Sequence, residues 1–144
     1  MRILAIDPGE KHIGIAISDP TGTIANPVMV LKHSSRLLDA AAIAQFASEH
    51  EVSTIVVGQS LDEEGLPTPE GRRSGRLADA IQSQTTLPVV LWDESGSTQE
   101  ARLTRIAMGV SRRKRKGHQD DLAAAIILQS YLDTRKSNGT GLPG

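Results

Sequence analysis

Three short apolar runs, rich in β-branched residues and separated by turn residues, constrain the fold more than any other feature of this sequence. The first two runs cover Ile3–Asp7 and His12–Ser18, and the third covers Thr23–Leu31, where Pro27 indicates an edge strand or a bulge. A Pro-Gly pair and an Asp-Pro-Thr-Gly stretch lie between the runs and supply turn residues. The pattern predicts a three-stranded meander at the start of the chain.

After the meander, helical and strand patterns alternate. The first predicted helix is capped by Ser34 or Ser35 and has Leu38, Ala42 and Phe46 at helical spacing, and a buried strand Val52–Gly58 follows it. A mobile loop Gln59–Gly75 then leads into a helix with Leu77 and Ile81, which a strand Pro88–Trp92 follows. The last two predicted elements are a helix from Ser97 to about Met108 and a helix marked by Ala124, Ile127, Leu128 and Tyr131. This order predicts an α/β fold with a five-stranded mixed sheet and helices on both faces. Right-handed crossovers would place the fourth strand beside the first.

Length and composition limit the class of protein. A chain of 144 residues fits one domain, which we expect over residues 1–133, and the polar residues after Asp133 predict a disordered tail over residues 134–144. The sequence has no cysteine, so disulfides and thiolate chemistry are excluded. No apolar run is long enough for a signal peptide or a membrane span, and we expect a cytoplasmic protein without a membrane partner.

Acidic residues end two of the predicted strands and begin the last helix. They are Asp7 after the first strand, Asp93 and Glu94 after the fifth strand, and Asp120 and Asp121 at the helix. Ligands usually bind an open α/β sheet at the carboxyl ends of its strands. Carboxylate oxygens suit Mg²⁺ or Mn²⁺, and one or two such ions can promote the hydrolysis of a phosphodiester. The pattern therefore indicates a metal-dependent nuclease.

Each of these acids also has a purely structural explanation. Asp7 can begin the turn that follows it, and Asp93 and Glu94 can be an exposed strand end. Asp120 and Asp121 stand where a helix dipole favours negative charge. The spacing alone does not choose between Asp93 and Glu94, or between Asp120 and Asp121.

Positive charge is concentrated in one segment, although the formal net charge of the chain is -1. Five consecutive cations, which we call the basic arm, are Arg112, Arg113, Lys114, Arg115 and Lys116. Such runs are often only solvated loops, but the position of this one just before Asp120 favours phosphate binding. With one Trp, one Tyr and one Phe in the chain, we expect recognition of backbone charge and shape rather than base stacking.

The opening of the sequence, Met-Arg-Ile-Leu-Ala-Ile-Asp-Pro-Gly-Glu-Lys-His-Ile-Gly-Ile-Ala-Ile-Ser-Asp, resembles that of the YqgF (RuvX-like) family. The other matching motifs are Ile55–Gly58, the loop at Gly65, Asp93-Glu94 with Ser97-Thr98 and Glu100-Ala101, and the stretch from Asp120 to Leu132. The resemblance runs from Met1 to about Asp133. It implies a ribonuclease H-like fold related to Holliday junction resolvases, and a nuclease that matures the 5′ end of pre-16S ribosomal RNA in the cytoplasm.

The same resemblance implies roles for particular residues. Asp7, Glu94 and Asp120 match the family's catalytic, metal-binding acids, which favours Asp120 over Asp121, and Asp93 and Asp121 remain as alternative ligands. The expected cofactor is Mg²⁺ or Mn²⁺, as one or two ions. We expect the nucleic acid to bind the basic arm and Lys11.

The chain departs from the family pattern at two places. Ser95 and Gly96 stand where many members have an arginine and then a bulky apolar residue, and Gln59 and Ser60 replace a commoner Leu-Pro pair. If that arginine binds phosphate in relatives, cations of the basic arm must replace it here, or the activity is weaker.

Three functions remain open from the sequence. The first is a nuclease that acts on precursor or structured RNA. The second is a nuclease of branched DNA, which should be a symmetric dimer, whereas no apolar dimer helix is evident and we expect a monomer or a weak dimer. The third is a non-catalytic module that binds RNA or a ribosomal assembly intermediate through the basic arm.

Overall fold

Five strands form one mixed sheet, in the order β3-β2-β1-β4-β5. The computed structural model describes residues 1–94 and 119–139; of residues 119–121 and 136–139 it describes the backbone. The elements in this part of the chain are β1 (Arg2–Pro8), β2 (His12–Ser18), β3 (Ala25–Lys32), α1 (Arg36–Glu49), β4 (Val52–Gln59), α2 (Pro69–Gln82), β5 (Val89–Asp93) and α3 (Gln119–Gly139). The helix predicted from Ser97 to about Met108 lies outside the described residues.

The topology of the sheet agrees with the prediction from the sequence. Strands β1, β2 and β3 form an antiparallel meander, and β4 pairs in parallel with both β1 and β5. The connection through α1 therefore returns the chain from the edge strand β3 to the centre of the sheet, beside β1. Strands β1, β4 and β5 end at the same edge of the sheet, which we call the carboxyl edge.

Helices cover both faces of the sheet, as predicted. The side chains of β1 alternate, so that Leu4 and Ile6 belong to the core beneath α1 and α2. Ile3 and Ala5 belong to a second core beneath α3. All four residues are fully buried. We refer to the two sides of the sheet as the α1/α2 face and the α3 face.

Helix α2 begins earlier than the sequence indicated. The loop was expected to extend to Gly75, but the helix begins at Pro69, because Thr68 caps it by accepting a 3.1 Å hydrogen bond from the Gly71 amide. The shorter loop is organised by Asp62, whose carboxylate accepts backbone hydrogen bonds from Glu64 and Leu66 at 2.9 Å. The terminus of α2 therefore lies close to the end of β4.

The buried side of α1 differs from the one predicted. Leu38, Ala42 and Phe46 were expected to face the core, yet Leu38 is 62% exposed and Ala42 is exposed as well. Only Phe46 of this pattern is partly buried and packs against the core. The residues that are buried instead are Asp39, Ala40, Ile43 and Ala47. Asp39 is directed inward because its carboxylate accepts hydrogen bonds from Nδ1 of His33 at 2.5 Å and from the amide of Ser34 at 3.1 Å. Apolar spacing alone gives no weight to a buried acid, and the prediction was wrong for this reason.

The last helix continues beyond Asp133, where a disordered tail was expected. It extends to Gly139. Thr134 donates its hydroxyl hydrogen bond to the carbonyl of Ser130 at 2.9 Å, and the guanidinium of Arg135 lies 5.8 Å from the centre of the Tyr131 ring. These contacts, each between residues one turn apart, explain why α3 continues beyond Asp133. Residues 140–144 lie outside the described part. Within that part, no helix is long and apolar enough to cross a membrane.

The orientation of α1 can be tested by truncating one residue from each side. Ile43→Ala should lower the free energy of unfolding by about 2–5 kcal/mol, because Ile43 is fully buried. Leu38→Ala should change it by no more than about 0.5 kcal/mol, because the side chain is mostly exposed. Urea denaturation of both variants measures the difference. Equal losses would contradict the observed orientation.

Candidate active site

Asp7 lies near the end of the central strand, at the carboxyl edge. It is half-buried, and the alternation along β1 places its side chain on the α3 face with Ile3 and Ala5. Its neighbours across the sheet are both glycines. Asp7 pairs directly with Gly14 of β2, and Gly58 follows Val57, which pairs with Ile6. Neither neighbouring strand therefore presents a side chain beside the carboxylate.

Glu94 lies at the same edge, on the first residue after β5. Its amide donates a 3.2 Å hydrogen bond to the carbonyl of Gln59, which holds the chain against the end of β4. A methyl group placed on Gly58 would lie 2.9 Å from Oε2 of Glu94 and 2.5 Å from Cδ1 of Ile127. The carboxylate of Glu94 therefore lies over Gly58, on the α3 face, which is also the face of Asp7.

This geometry distinguishes Glu94 from Asp93. Asp93 is the last residue of β5 and pairs with Gln59. Trp92, one residue earlier, packs against the core beneath α3, so alternation along the strand directs Asp93 to the opposite side of the sheet. The sequence left this choice open, and the structure places Glu94 on the side of Asp7.

Asp7 and Glu94 are attached to strands that lie two places apart, so their backbones are separated by roughly 10 Å. Gly58 occupies the strand between them. A side chain there would meet Ile127 and Glu94, so the glycine is what allows both to lie over this strand. A close approach of this kind is a typical reason for a glycine inside a strand. The position of Gly58 at the end of an apolar strand is therefore a signal from which it could have been recognised in the sequence as a site residue.

The first turn of α3 approaches the same edge. Ile127 lies over Gly58, and Asp120 precedes it by two helical turns, about 10 Å along the axis. Farther along α3, Gln129 accepts a 3.0 Å hydrogen bond from the amide of Ala25, at the opposite edge of the sheet. The helix therefore runs from the carboxyl edge, and its backbone brings Asp120 toward that edge. The side chains of Asp120 and Asp121 lie outside the described part.

Burial and a neighbouring charge both act on Glu94. Partial burial raises the pKa of the Glu94 carboxyl above its ordinary value, and the negative charge of Asp93 raises it further. An ionised Glu94 is therefore poorly compensated and would be stabilised by a nearby cation. Among the side chains that the structure describes, no group of three or more His, Asp or Glu could hold a metal ion. A site at Asp7 and Glu94 needs a further ligand from elsewhere.

The predicted nucleic-acid-binding residues are only partly placed. Lys11 is exposed in the turn between β1 and β2, and its carbonyl accepts a 2.9 Å hydrogen bond from the amide of His33. It therefore lies at the carboxyl edge, close in sequence to Asp7. The basic arm, together with Ser95 and Gly96, lies outside the described residues.

Comparison with protein families and with known sequences gives a consistent result. The family described as RuvX, Holliday junction resolvase, matches residues 1–134. A protein of Thermoanaerobacter pseudethanolicus, named as a candidate pre-16S rRNA nuclease, is 41% identical over 138 residues, which are 95% of this chain and 99% of the relative. A protein of Listeria innocua with the same name is 41% identical and aligns over 93% of this chain and 99% of its own.

Comparison with solved structures identifies the fold. RuvC of T. thermophilus in complex with a Holliday junction substrate matches with a TM-score of 0.59 and 18% identity, over 94% of this chain and 96% of that one. The Holliday junction resolvase of fowlpox virus matches with a TM-score of 0.57 and 14% identity, over 93% and 99% of the two chains. The predicted ribonuclease H-like fold is thereby confirmed.

Two glycine variants test the close approach at Gly58. Gly58→Ala should lower the free energy of unfolding by about 1–3 kcal/mol, because the added methyl group meets Ile127 and Glu94. Gly75→Ala is the matched control, since the nearest atom to its methyl group is 3.8 Å away and the position is helical. It should raise the stability by about 0.5–1 kcal/mol. Thermal unfolding compares the two, and a stabilised Gly58→Ala would refute the crowding.

The raised pKa of Glu94 predicts how stability depends on pH in EDTA. The folded state disfavours the charged form of the Glu94 carboxyl. Below the ordinary pKa the carboxyl is protonated and contributes fully to the stability of the folded state, and this stability is lost as the pH rises through the raised pKa. Glu94→Gln removes the charge, so the variant should melt at a higher temperature than wild type at neutral pH. The difference should disappear in acid. A difference that is independent of pH would contradict the account.

Proposed function

The chain belongs to the RuvX family, and on this basis we propose that it is a metal-dependent nuclease that hydrolyses phosphodiester bonds. The proposed substrate is precursor 16S ribosomal RNA, cut to mature its 5′ end in the cytoplasm, because relatives with that name are 41% identical over nearly the whole chain. The observation that carries the proposal is the position of Asp7 and Glu94 on one face of the sheet, on either side of Gly58.

The donor atoms fit a hard divalent cation. We propose that Asp7, Glu94 and Asp120 hold Mg²⁺ or Mn²⁺, one ion or two, through carboxylate oxygens. The partly buried charge of Glu94 supports this proposal, because it lacks compensation in the described part of the chain. Asp121 is the alternative ligand on α3. Asp93 is a weaker candidate, because alternation along β5 directs it to the other face.

Each residue has a distinct task in hydrolysis. A bound divalent cation would supply Lewis-acid stabilisation of the attacking and leaving oxygens at phosphorus. Asp7 is fixed by the central strand and sets the position of the reaction. Gly58 has no side chain and so lets the carboxylate of Glu94 lie over the strand between Asp7 and Glu94. Glu94 stands about two strand spacings away, and it can accept a hydrogen bond from the attacking water and so orient it.

Cations hold the polyanion in this proposal. Lys11 is exposed at the carboxyl edge, and the basic arm precedes Asp120 in the sequence. Their charges would attract the substrate backbone and neutralise phosphates without reading bases. A ribosomal assembly intermediate that contains the precursor RNA is the physiological partner that we propose.

Replacing one acid tests the proposal. Asp7→Asn keeps the size of the side chain and removes its charge, and it should lower metal-dependent cleavage by roughly 100-fold or more, since metal stabilisation of the transition state amounts to several kcal/mol. Asp79→Asn, an exposed acid on α2, is the matched control and should retain full activity. The assay uses a precursor 16S rRNA fragment and a four-way DNA junction, each with and without Mg²⁺.

The two substrates separate the possible outcomes. Cleavage of the RNA that requires both Mg²⁺ and Asp7 supports the proposal. Cleavage of the junction alone would replace the RNA substrate by branched DNA, the substrate class in the family's description. Cleavage that is unchanged in Asp7→Asn would exclude this site, and a protein that binds RNA without ever cutting it would be a binding module.

A further inference from the structure

A cavity that several charged residues line opens on the other face of the sheet, directly behind the candidate active site. Its volume is about 220 Å³, and its walls include Pro8, His33, Arg36, Asp39, Arg73 and Arg76. Pro8 is the residue after Asp7 on β1. The alternation along the strand that turns Asp7 to the α3 face turns Pro8 to the α1/α2 face. The cavity and the candidate active site are therefore separated by the end of one strand.

Three arginines and a histidine from three separate segments line this cavity. Arg36 is the first residue of α1, just after the capping residue Ser35. Arg73 and Arg76 are three residues apart on α2, so they lie on the same side of that helix. His33 follows β3, and its amide is hydrogen-bonded to the carbonyl of Lys11. The fold, rather than one charged stretch of sequence, creates the cluster.

The positive charge in the cavity is not neutralised by the residues that line it. Within the described part of the chain, none of the three guanidinium groups forms an ion pair. Asp39 is 3% exposed, and its carboxylate already accepts hydrogen bonds from His33 and Ser34. One acid that is occupied in this way faces three arginines. A cavity of this charge is suited to an anion, and guanidinium groups match the geometry of phosphate.

We propose that this cavity binds a phosphate group of the substrate strand, next to the phosphate at Asp7. The inference rests on the proposed nuclease function and extends it. A polynucleotide that crosses the carboxyl edge would present phosphates to both faces of the sheet. Asp7 and Pro8 are successive residues of β1, about 3.3 Å apart along the strand, and they face these two sides. Lys11 lies along the same edge.

Under this proposal, the arginines of this cavity would add phosphate contacts to those of the basic arm in a chain that departs from the family pattern. Ser95 and Gly96 replace an arginine and an apolar residue of many members. The cavity supplies three arginines at the same edge of the sheet, so phosphate binding does not depend on the basic arm alone. They are contributed by helices α1 and α2, on the face opposite to Asp7.

The test compares two neighbouring arginines on α2. Arg73 lines the cavity and is half-buried, whereas Arg72 is exposed and donates a hydrogen bond to the carbonyl of Pro67 at 3.3 Å. Arg73→Gln and Arg72→Gln therefore remove the same charge from adjacent positions. Fluorescence anisotropy of a short fluorescein-labelled single-stranded RNA, measured in EDTA over a range of salt concentrations, gives the affinity without cleavage. Thermal unfolding confirms that both variants fold.

Arg73→Gln should weaken RNA binding by roughly tenfold, the effect of losing a charge-assisted hydrogen bond. It should also reduce the slope of log affinity against log salt by about 0.7, the value for one phosphate contact on a single strand. Arg72→Gln should leave the affinity and the slope nearly unchanged. Binding is measured in EDTA and cleavage in Mg²⁺, so loss of this contact and loss of the proposed nuclease activity are distinguishable.

Other outcomes overturn the inference. If Arg72→Gln and Arg73→Gln lowered the RNA affinity equally, the effect would be one of general surface charge and not of the cavity. A separate titration with inorganic phosphate, followed by the NMR signal of the Arg73 side chain, distinguishes the source of the ligand. Binding of inorganic phosphate there, with no effect of Arg73→Gln on RNA affinity, would show a site for a free anion and would refute the role in substrate binding.

Discussion

The candidate site depends on one constraint: β1 is hydrogen-bonded on both sides and covered by helices on both faces. Such a strand has no freedom to rotate, because turning it by one residue would exchange Leu4 and Ile6 with Ile3 and Ala5 between two separate cores. The directions of Asp7 and Pro8 are therefore fixed by the packing of the apolar residues before them. A central strand that holds a reactive group in this way requires little further organisation.

Glycine is the second part of the arrangement. Gly14 and Gly58 flank Asp7 on the two neighbouring strands, and glycine weakens a strand because it has no side chain to pack. In the same region the carboxylate of Glu94 is partly buried, which disfavours its charge. Both features reduce stability, and together they keep a second carboxylate on the face of Asp7, which is what a divalent cation needs. The cavity behind β1 has the opposite character, since its arginines lie around a single acid that is already hydrogen-bonded.

The sequence predicted the elements and their order better than it predicted the directions of side chains. Strands rich in Val and Ile, together with the right-handedness of crossovers, were sufficient for the sheet order. The spacing of Leu77 and Ile81 was sufficient for the presence of α2, but not for its beginning at Pro69. The buried side of α1 was predicted wrongly, because Asp39 is held inward by His33 and Ser34, and no apolar pattern signals such a contact. The choice between Asp93 and Glu94 depended on the register of β5 against β4, which requires tertiary pairing. Arg36, Arg73 and Arg76 are distant in sequence, so only the fold brings them to one cavity.

The central claim is that the carboxylates at the carboxyl edge converge near Gly58 to hold a divalent cation. Paramagnetic broadening by Mn²⁺ in NMR spectra of the labelled protein tests it directly, because the effect falls steeply with distance from the ion. The account predicts that the amide signals of Gly14 and Gly58 broaden at low Mn²⁺ concentration, while those of Ser18 and Ala25 at the other edge stay sharp. Broadening centred elsewhere, or none at Gly58, would contradict it.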